Sequence, residues 1–242
     1  MTAFDELRGL GFGEADARTL ADHFEEADRR GRPGHGVSRI EFLRSLPDLD
    51  PRARPERVVV EHGYERWDGR GALGYLVLAR IVEAQLFDPP ERSRLVVASR
   101  CFPTGFLGYW VRRLADHGLV AALTATSPAR LGHPDGGSPL AGTNPLATAI
   151  PSSDGRPLVA DVSMGKVTHG DVLRGSASPE DLVPFGGEQA HKAFALAVGL
   201  EMFVSALAGE EHGAVLLVAR PEHDPVPGLR ARAEGIRLPG DG

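Results

Sequence analysis

Apolar residues recur at helical spacing through the first fifty positions. In "FGEADARTLADHFEEADRRG" Ala17, Leu20, Ala21 and Phe24 share one face and charge occupies the rest, which predicts an amphipathic helix. "GVSRIEFLRSL" repeats the pattern with Val37, Ile40, Leu43 and Leu46 and predicts a further short helix. The proline-rich "PDLDPRARPER" interrupts it. "RVVVEHGYERWDG" then reads as a strand, a turn at His62-Gly63 and a second strand. From Ala72 onward helices and strands alternate. Helices are expected at "ALGYLVLARIVEAQLF" and "FLGYWVRRLADHG", and strands at "RLVVAS" and "LVAALTAT". Further apolar runs follow at "PLATAIP" and "PLVADVS". "EQAHKAFALAVGLEMFVSAL" is apolar on nearly all sides, which predicts a buried helix. A strand "GAVLLVA" closes the chain, with "PEHDPVPGLRARAEG" read as a partly ordered connection. The alternation predicts an α/β fold with a helical N-terminal part.

Composition narrows the function classes. At 242 residues, 42 % of them apolar, the chain can bury one large core or two small ones. A net charge of −6 argues against nucleic acid as the partner. The single Cys101 cannot form an internal disulfide. "MTAFDELRGL" lacks a basic segment followed by an apolar one, so no signal peptide is expected and a cytoplasmic location is. The longest apolar stretch, 193–207, contains Glu201 and Ser205 and reads as too short and too interrupted for a membrane span. No histidine or carboxylate spacing suggests a metal site.

Several short stretches carry candidate chemistry. Gly69, Gly71 and Gly74 in "WDGRGALG" have the spacing of a dinucleotide-binding loop. The preceding Glu65-Arg66-Trp67-Asp68 is not the end of a buried strand, and the next strand ends in Arg100 instead of an acid. An arginine there would suit a 2′-phosphate. The other reading is a turn with close backbone packing at a helix start. In "RPGHGVSR", His35 lies between glycines with Arg39 four residues on, so both can lean toward one site where Arg39 would grip a carboxylate. An exposed helix start explains the same residues. "HPDGGSPLAGTNPLATAIP" places Thr143 and Asn144 at a turn, or forms a plain long loop. "ADVSMGKVTHGD" carries Asp161, Ser163, His169 and Asp171, and a turn at Gly170 would present the last two together. His191 and Lys192 open the apolar helix, where cations oppose the helix dipole and an anionic ligand would offset them.

Taken in order, "GHGVSR", "DGRGALG", "GFLGYW", "PDGG", "GTNPLATAIP", "DVS", "HGD", "PFGG", "HKAFALAV" and "IRLPGDG" resemble the malate/L-lactate dehydrogenase-like family of NAD(P)-dependent oxidoreductases. "HGD" and "HK" resemble its Δ1-piperideine-2-carboxylate and Δ1-pyrroline-2-carboxylate reductase branch. The resemblance implies a non-Rossmann α/β fold, a helical N-terminal part and a mixed sheet flanked by helices. It implies three segments: 1–70, helical with the start of the sheet; 71–208, a central cofactor and substrate domain; and 209–242, a strand and tail returning to the N-terminal part. His35 matches the proton donor, Asp171 the carboxylate that orients it, and Arg39 the holder of the substrate carboxylate. Thr143, His169 and Gly170 match substrate contacts. Asp161, Val162, Ser163, His191, Lys192, Pro239 and Gly240 match contacts to NADPH or NADH. A small carboxylate substrate, a biosynthetic role, a homodimer, and no membrane or nucleic-acid partner are further implications. The chain departs from the family at Gly34, where a serine is usual, and at Pro103, where a cofactor-side histidine is usual. It is also shorter after "HGD" and after "SALAG". Three functions are therefore carried forward. They are a reductase of a cyclic imino or 2-oxo acid, a cofactor-free isomerase, cyclase or dehydratase at the same residues, and a non-catalytic homologue.

Overall fold

The computed structural model describes residues 1–241. The strands are β1 (Glu56–Glu61), β2 (Tyr64–Asp68), β3 (Ser93–Ser99), β4 (Val120–Ala125), β5 (Leu146–Ile150), β6 (Leu158–Val162) and β7 (Ala214–Ala219). They form one sheet in the order β1-β2-β3-β7-β4-β5-β6. β2 and β3 run parallel, joined by the crossover helix α4 (Gly74–Phe87) that such a pair requires; the other neighbours are antiparallel. The sheet is thus mixed, as expected, and its C-terminal strand β7 is inserted between β3 and β4.

The main core lies between one sheet face and the helices α1 (Ala3–Gly9), α2 (Glu14–Arg29), α3 (Arg39–Arg44), α4 and α5 (Leu107–Ala115). Leu20 and Phe24 of the amphipathic α2 are fully buried there with Tyr75, Leu78 and Trp110. Successive strand residues point to opposite faces. Val96 and Ala98 of β3 therefore join this core, while Val97 joins a smaller cluster on the other face with Val204 and Ala208. Those two residues belong to the long helix α7 (Ala190–Ala208), which lies across β3, β4 and β7.

Two expectations change here. The apolar C-terminal helix is not buried all round. Ala193, Ala197, Val204 and Ala208 face the protein, but Leu196, Met202 and Phe203 are 53, 58 and 48 % exposed. One sheet face can cover only one stripe of a helix, whatever the other sides carry. The helical stretch 187–208 is 22 residues long, longer than the 193–207 stretch read from the sequence, and matches a membrane span by length and composition only. In the fold it is held by the sheet and by Glu201, whose carboxylate accepts a hydrogen bond from the Asn144 side-chain amide at 2.7 Å. The tail is the second change. It forms α8 (Val226–Arg232), with Pro227 in its first turn and Val226 buried.

The glycine triplet performs close packing. A Cβ on Gly69 would overlap the Arg100 carbonyl, and one on Gly74 would lie 2.8 Å from the Pro103 carbonyl oxygen and from the Phe102 nitrogen. Arg100, weighed above as a phosphate ligand, pairs with Asp68, its Nε donating at 2.8 Å.

Candidate active site

A cavity of about 300 Å³ opens where the 3₁₀ turn Pro33–His35, the loop before α5, the β4–β5 connection and the short helix α6 (His169–Leu173) converge. It gathers His35, Arg39, Thr143, Asp161, Ser163, His169, Gly170 and Asp171, residues 136 positions apart at the extremes. The juxtaposition rests on two glycines. A Cβ at Gly170 would overlap the Gly34 carbonyl, and one at Gly34 would lie 2.6 Å from Thr168 Oγ1 and 2.7 Å from Asp171 Oδ1. Bare backbone on both sides lets the start of α6 press against the His35 turn. The serine usual at position 34 would not fit beside Asp171 as it stands. The next turn is fixed by Asp28, whose carboxylate accepts the Val37 N–H at 2.9 Å.

α6 starts at Thr168 with a capping box. Asp171 accepts from Thr168 N–H at 3.0 Å and from its hydroxyl at 2.7 Å, and the Thr168 hydroxyl accepts from the Asp171 N–H at 3.2 Å. Arg174 lies 3.4 Å from the other carboxylate oxygen. The T-x-x-D spacing of this box was legible in the sequence but was read there only as a turn.

Both histidines of the cavity have lowered pKa values. Burial, then Arg39 and Arg32, push the His35 pKa down to about 4, and the opposing pull of Asp171 does not outweigh them. Burial, then Arg130 and Arg39, push His169 to about 4 as well. A neighbouring carboxylate on its own would keep His35 protonated. It does not, because burial outweighs it, Arg39 and Arg32 add to the burial, and Asp171 is already satisfied by Thr168 and Arg174. Arg39 is 8 % exposed, lies 3.8 Å from the centre of the Phe42 ring, and leaves its Nε without a hydrogen-bond partner. Phe42 in turn meets His169 edge-on, with centroids 6.3 Å apart. The Tyr75 hydroxyl is buried and likewise without a hydrogen-bond partner.

Asp161 closes one end of the cavity. It pairs with Arg32 at 3.1 Å and accepts the Gly108 N–H at 3.0 Å, while burial, the larger effect, holds its pKa above the usual carboxylate value. Beyond Arg32, Phe106 and Asp161 lies a second, smaller hollow of about 100 Å³, lined also by Arg112, Arg237 and Gly240. Arg112 Nη2 donates to the Gly240 carbonyl at 3.0 Å, and the Pro239 carbonyl accepts the Val159 N–H at 3.3 Å. Val162, His191 and Lys192 are exposed and line neither hollow. Thr143 accepts through its carbonyl from Met164 N–H at 2.8 Å. The neighbouring Asn144, fully buried, ties this turn to α7 through the Ala197 carbonyl at 2.9 Å and Glu201.

The sequence reading missed Arg32, Tyr75, Phe106 and Arg130. Arg32 opens "RPGHGVSR" and Phe106 lies in "GFLGYW" without a role assigned to either, and only the cavity brings the four together. Among the described residues no group of three His, Cys, Asp or Glu is placed to hold a metal.

The malate/L-lactate dehydrogenase family model matches residues 2–182. The chain is 31 % identical over 244 residues to a Δ1-pyrroline-2-carboxylate/Δ1-piperideine-2-carboxylate reductase of Pseudomonas putida, covering 85 % of this chain and 70 % of the relative. It is 33 % identical over 184 residues to a (2R)-3-sulfolactate dehydrogenase (NADP(+)) of Chromohalobacter salexigens, over 73 % of this chain and 54 % of that one. The crystal structure of a Δ1-piperideine-2-carboxylate reductase from Pseudomonas syringae pvar. tomato superposes with a TM-score of 0.84 at 25 % identity, over 99 % of this chain and 89 % of the other. Sequence, fold and the convergence of His35, Arg39 and Asp171 on one cavity agree: the chain belongs to the malate/L-lactate dehydrogenase family of NAD(P)-dependent oxidoreductases.

Proposed function

We propose that the chain reduces a small cyclic imino acid or 2-oxo acid with NADPH or NADH. The observation that carries this reading is the convergence of His35, Arg39, His169 and Asp171 on one cavity, from segments more than a hundred residues apart. The cofactor suits the site in charge. Arg32, Phe106 and Asp161 border both the main cavity and the second hollow, whose Arg32, Arg112 and Arg237 would supply cations for phosphates. Asp161, Ser163 and Gly240 would lie along the dinucleotide, and the bound nicotinamide supplies the hydride.

The chain's own groups would do the rest. Arg39 holds the substrate carboxylate through its paired donors. His35 moves a proton to or from the substrate nitrogen or oxygen. At rest its imidazole is neutral at pH 7, because burial, the larger effect, and then Arg39 and Arg32 disfavour its charge. A carboxylate seated on Arg39 offsets the arginine charge and raises the His35 pKa, so substrate binding itself draws in the proton to be delivered. Asp171 adds to the same effect, and His169 and Thr143 border the substrate. Leu196, Met202 and Phe203 would be covered by a second copy of the chain, as a homodimer.

Calorimetric titration with NADPH and NADH tests the reading. Micromolar binding of either is expected, and His35→Ala is expected to keep that binding while losing on the order of 10² to 10⁴ in turnover. Absence of binding by both nucleotides would sink hydride chemistry and leave cofactor-free acid/base chemistry on a small carboxylate.

A further inference from the structure

Tyr75 follows the last glycine of "WDGRGALG" and stands in the first turn of α4. Its backbone and ring are held firmly by the protein. Its N–H donates to the Pro103 carbonyl at 2.9 Å, and Gly74 beside it lets α4 start close against that loop. The ring meets His23 and Phe24 edge-on, with centroids 5.0 and 5.3 Å apart. A Cβ on Gly105 would lie 2.4 Å from the ring's Cε1, so a glycine there leaves the ring its place.

The hydroxyl is not held in this way. Tyr75 is 1 % exposed and lines the main cavity, yet its hydroxyl has no hydrogen-bond partner within the protein. Arg39 lines the same cavity and leaves its buried Nε equally unpartnered. Burial raises the phenol pKa against the opposing pull of the nearby Arg39, so the oxygen keeps its proton at pH 7 and can donate it to a hydrogen bond. A buried hydroxyl left unpaired is destabilising, and phenylalanine would fill the same space without that cost. Such a group in a well-packed wall calls for a ligand that brings the missing acceptor. A carboxylate has about four acceptor positions on its two oxygens. The Arg39 fork takes two of them and leaves others for a donor beside it.

We propose that Tyr75 is a substrate-binding residue whose hydroxyl donates a hydrogen bond to the carboxylate gripped by Arg39. The assignment of that carboxylate to a reducible substrate rests on the reductase reading; the need of the hydroxyl for an acceptor does not. The competing explanation is a tyrosine kept for its ring alone.

The test is a calorimetric titration of the full chain at pH 7.5 with Δ1-pyrroline-2-carboxylate and with pyruvate, each alone and with NADP+ present. Tyr75→Phe keeps the ring and removes the hydroxyl. Its affinity for whichever acid binds is expected to fall about 10- to 100-fold, the value of one hydrogen bond to a charged group. Its ligand-free melting temperature is expected to stay or rise. In turnover KM rises by the same factor with kcat unchanged, as when binding is lost equally from ground and transition states. An unchanged affinity in Tyr75→Phe overturns the inference, as does a natural protein that binds neither acid. A lowered melting temperature in Tyr75→Phe overturns it too, since the hydroxyl then has a partner inside the protein. A fall in kcat with KM unchanged would assign the hydroxyl to proton transfer and overturn the carboxylate contact. If neither NADPH nor NADH binds but a carboxylate does, and Tyr75→Phe weakens it, the reductase reading fails and the contact stands.

Discussion

Between about pH 6.5 and 4, His35 and His169 bind protons in the unfolded chain but not in the folded one, because their folded pKa values are about 4. Protons then favour the unfolded state, so stability is constant above about pH 6.5 and falls as pH drops toward 4. Comparing urea midpoints at pH 7.5 and 5.0 in the natural protein and in His35→Asn/His169→Asn checks this; the double variant is expected to lose less on acidification, and equal losses would refute it. At this scale the sequence was informative about identity and poor about state. His35, Arg39 and Asp171 stood out from their glycine-rich surroundings and from the family resemblance. The low pKa of His35 did not, because it depends first on burial and then on Arg39 and Arg32, which meet the ring only through the fold.

At the scale of elements, helices and strands followed periodicity. α2 formed where Ala17, Leu20, Ala21 and Phe24 share a face, and β1 and β2 formed around the turn at Gly63. The elements that position the site were harder to read, since they are short and defined by side-chain-to-backbone bonds. α6 exists because Thr168 and Asp171 cap each other, and the Thr143 turn is held because Asn144, at a φ of 23°, bridges to α7. Asn144→Ala removes both bridges and leaves Glu201 and the Ala197 carbonyl short of a donor. A loss of about 1–3 kcal/mol in urea unfolding is expected, with a raised KM as the neighbouring Thr143 shifts. An unchanged stability would mean that the loop is held elsewhere.

For the molecule as a whole, the exposed stripe of α7 is what the proposed homodimer rests on. Leu196, Met202 and Phe203 form a large apolar surface on a helix whose other side covers the sheet. Light scattering behind size exclusion is expected to give twice the chain mass, and Leu196→Glu/Phe203→Glu to give the single mass with the ligand-free melting transition retained. A natural protein that runs as a monomer would remove the dimer from the proposal.

The sequence by itself determined the α/β class, most element positions and, through ordered short motifs, the family. These depend on local periodicity and on residue identity, both of which are written along the chain. Tertiary structure alone decided three things. It brought Gly34 against Gly170, so that His35 meets α6. It left one side of α7 uncovered, because a sheet face can bury only one stripe. It also set Arg32, Arg39 and Arg130 in one cavity with His35 and His169, because net charge is a sum over the chain whereas an electrostatic field depends on which groups the fold brings close.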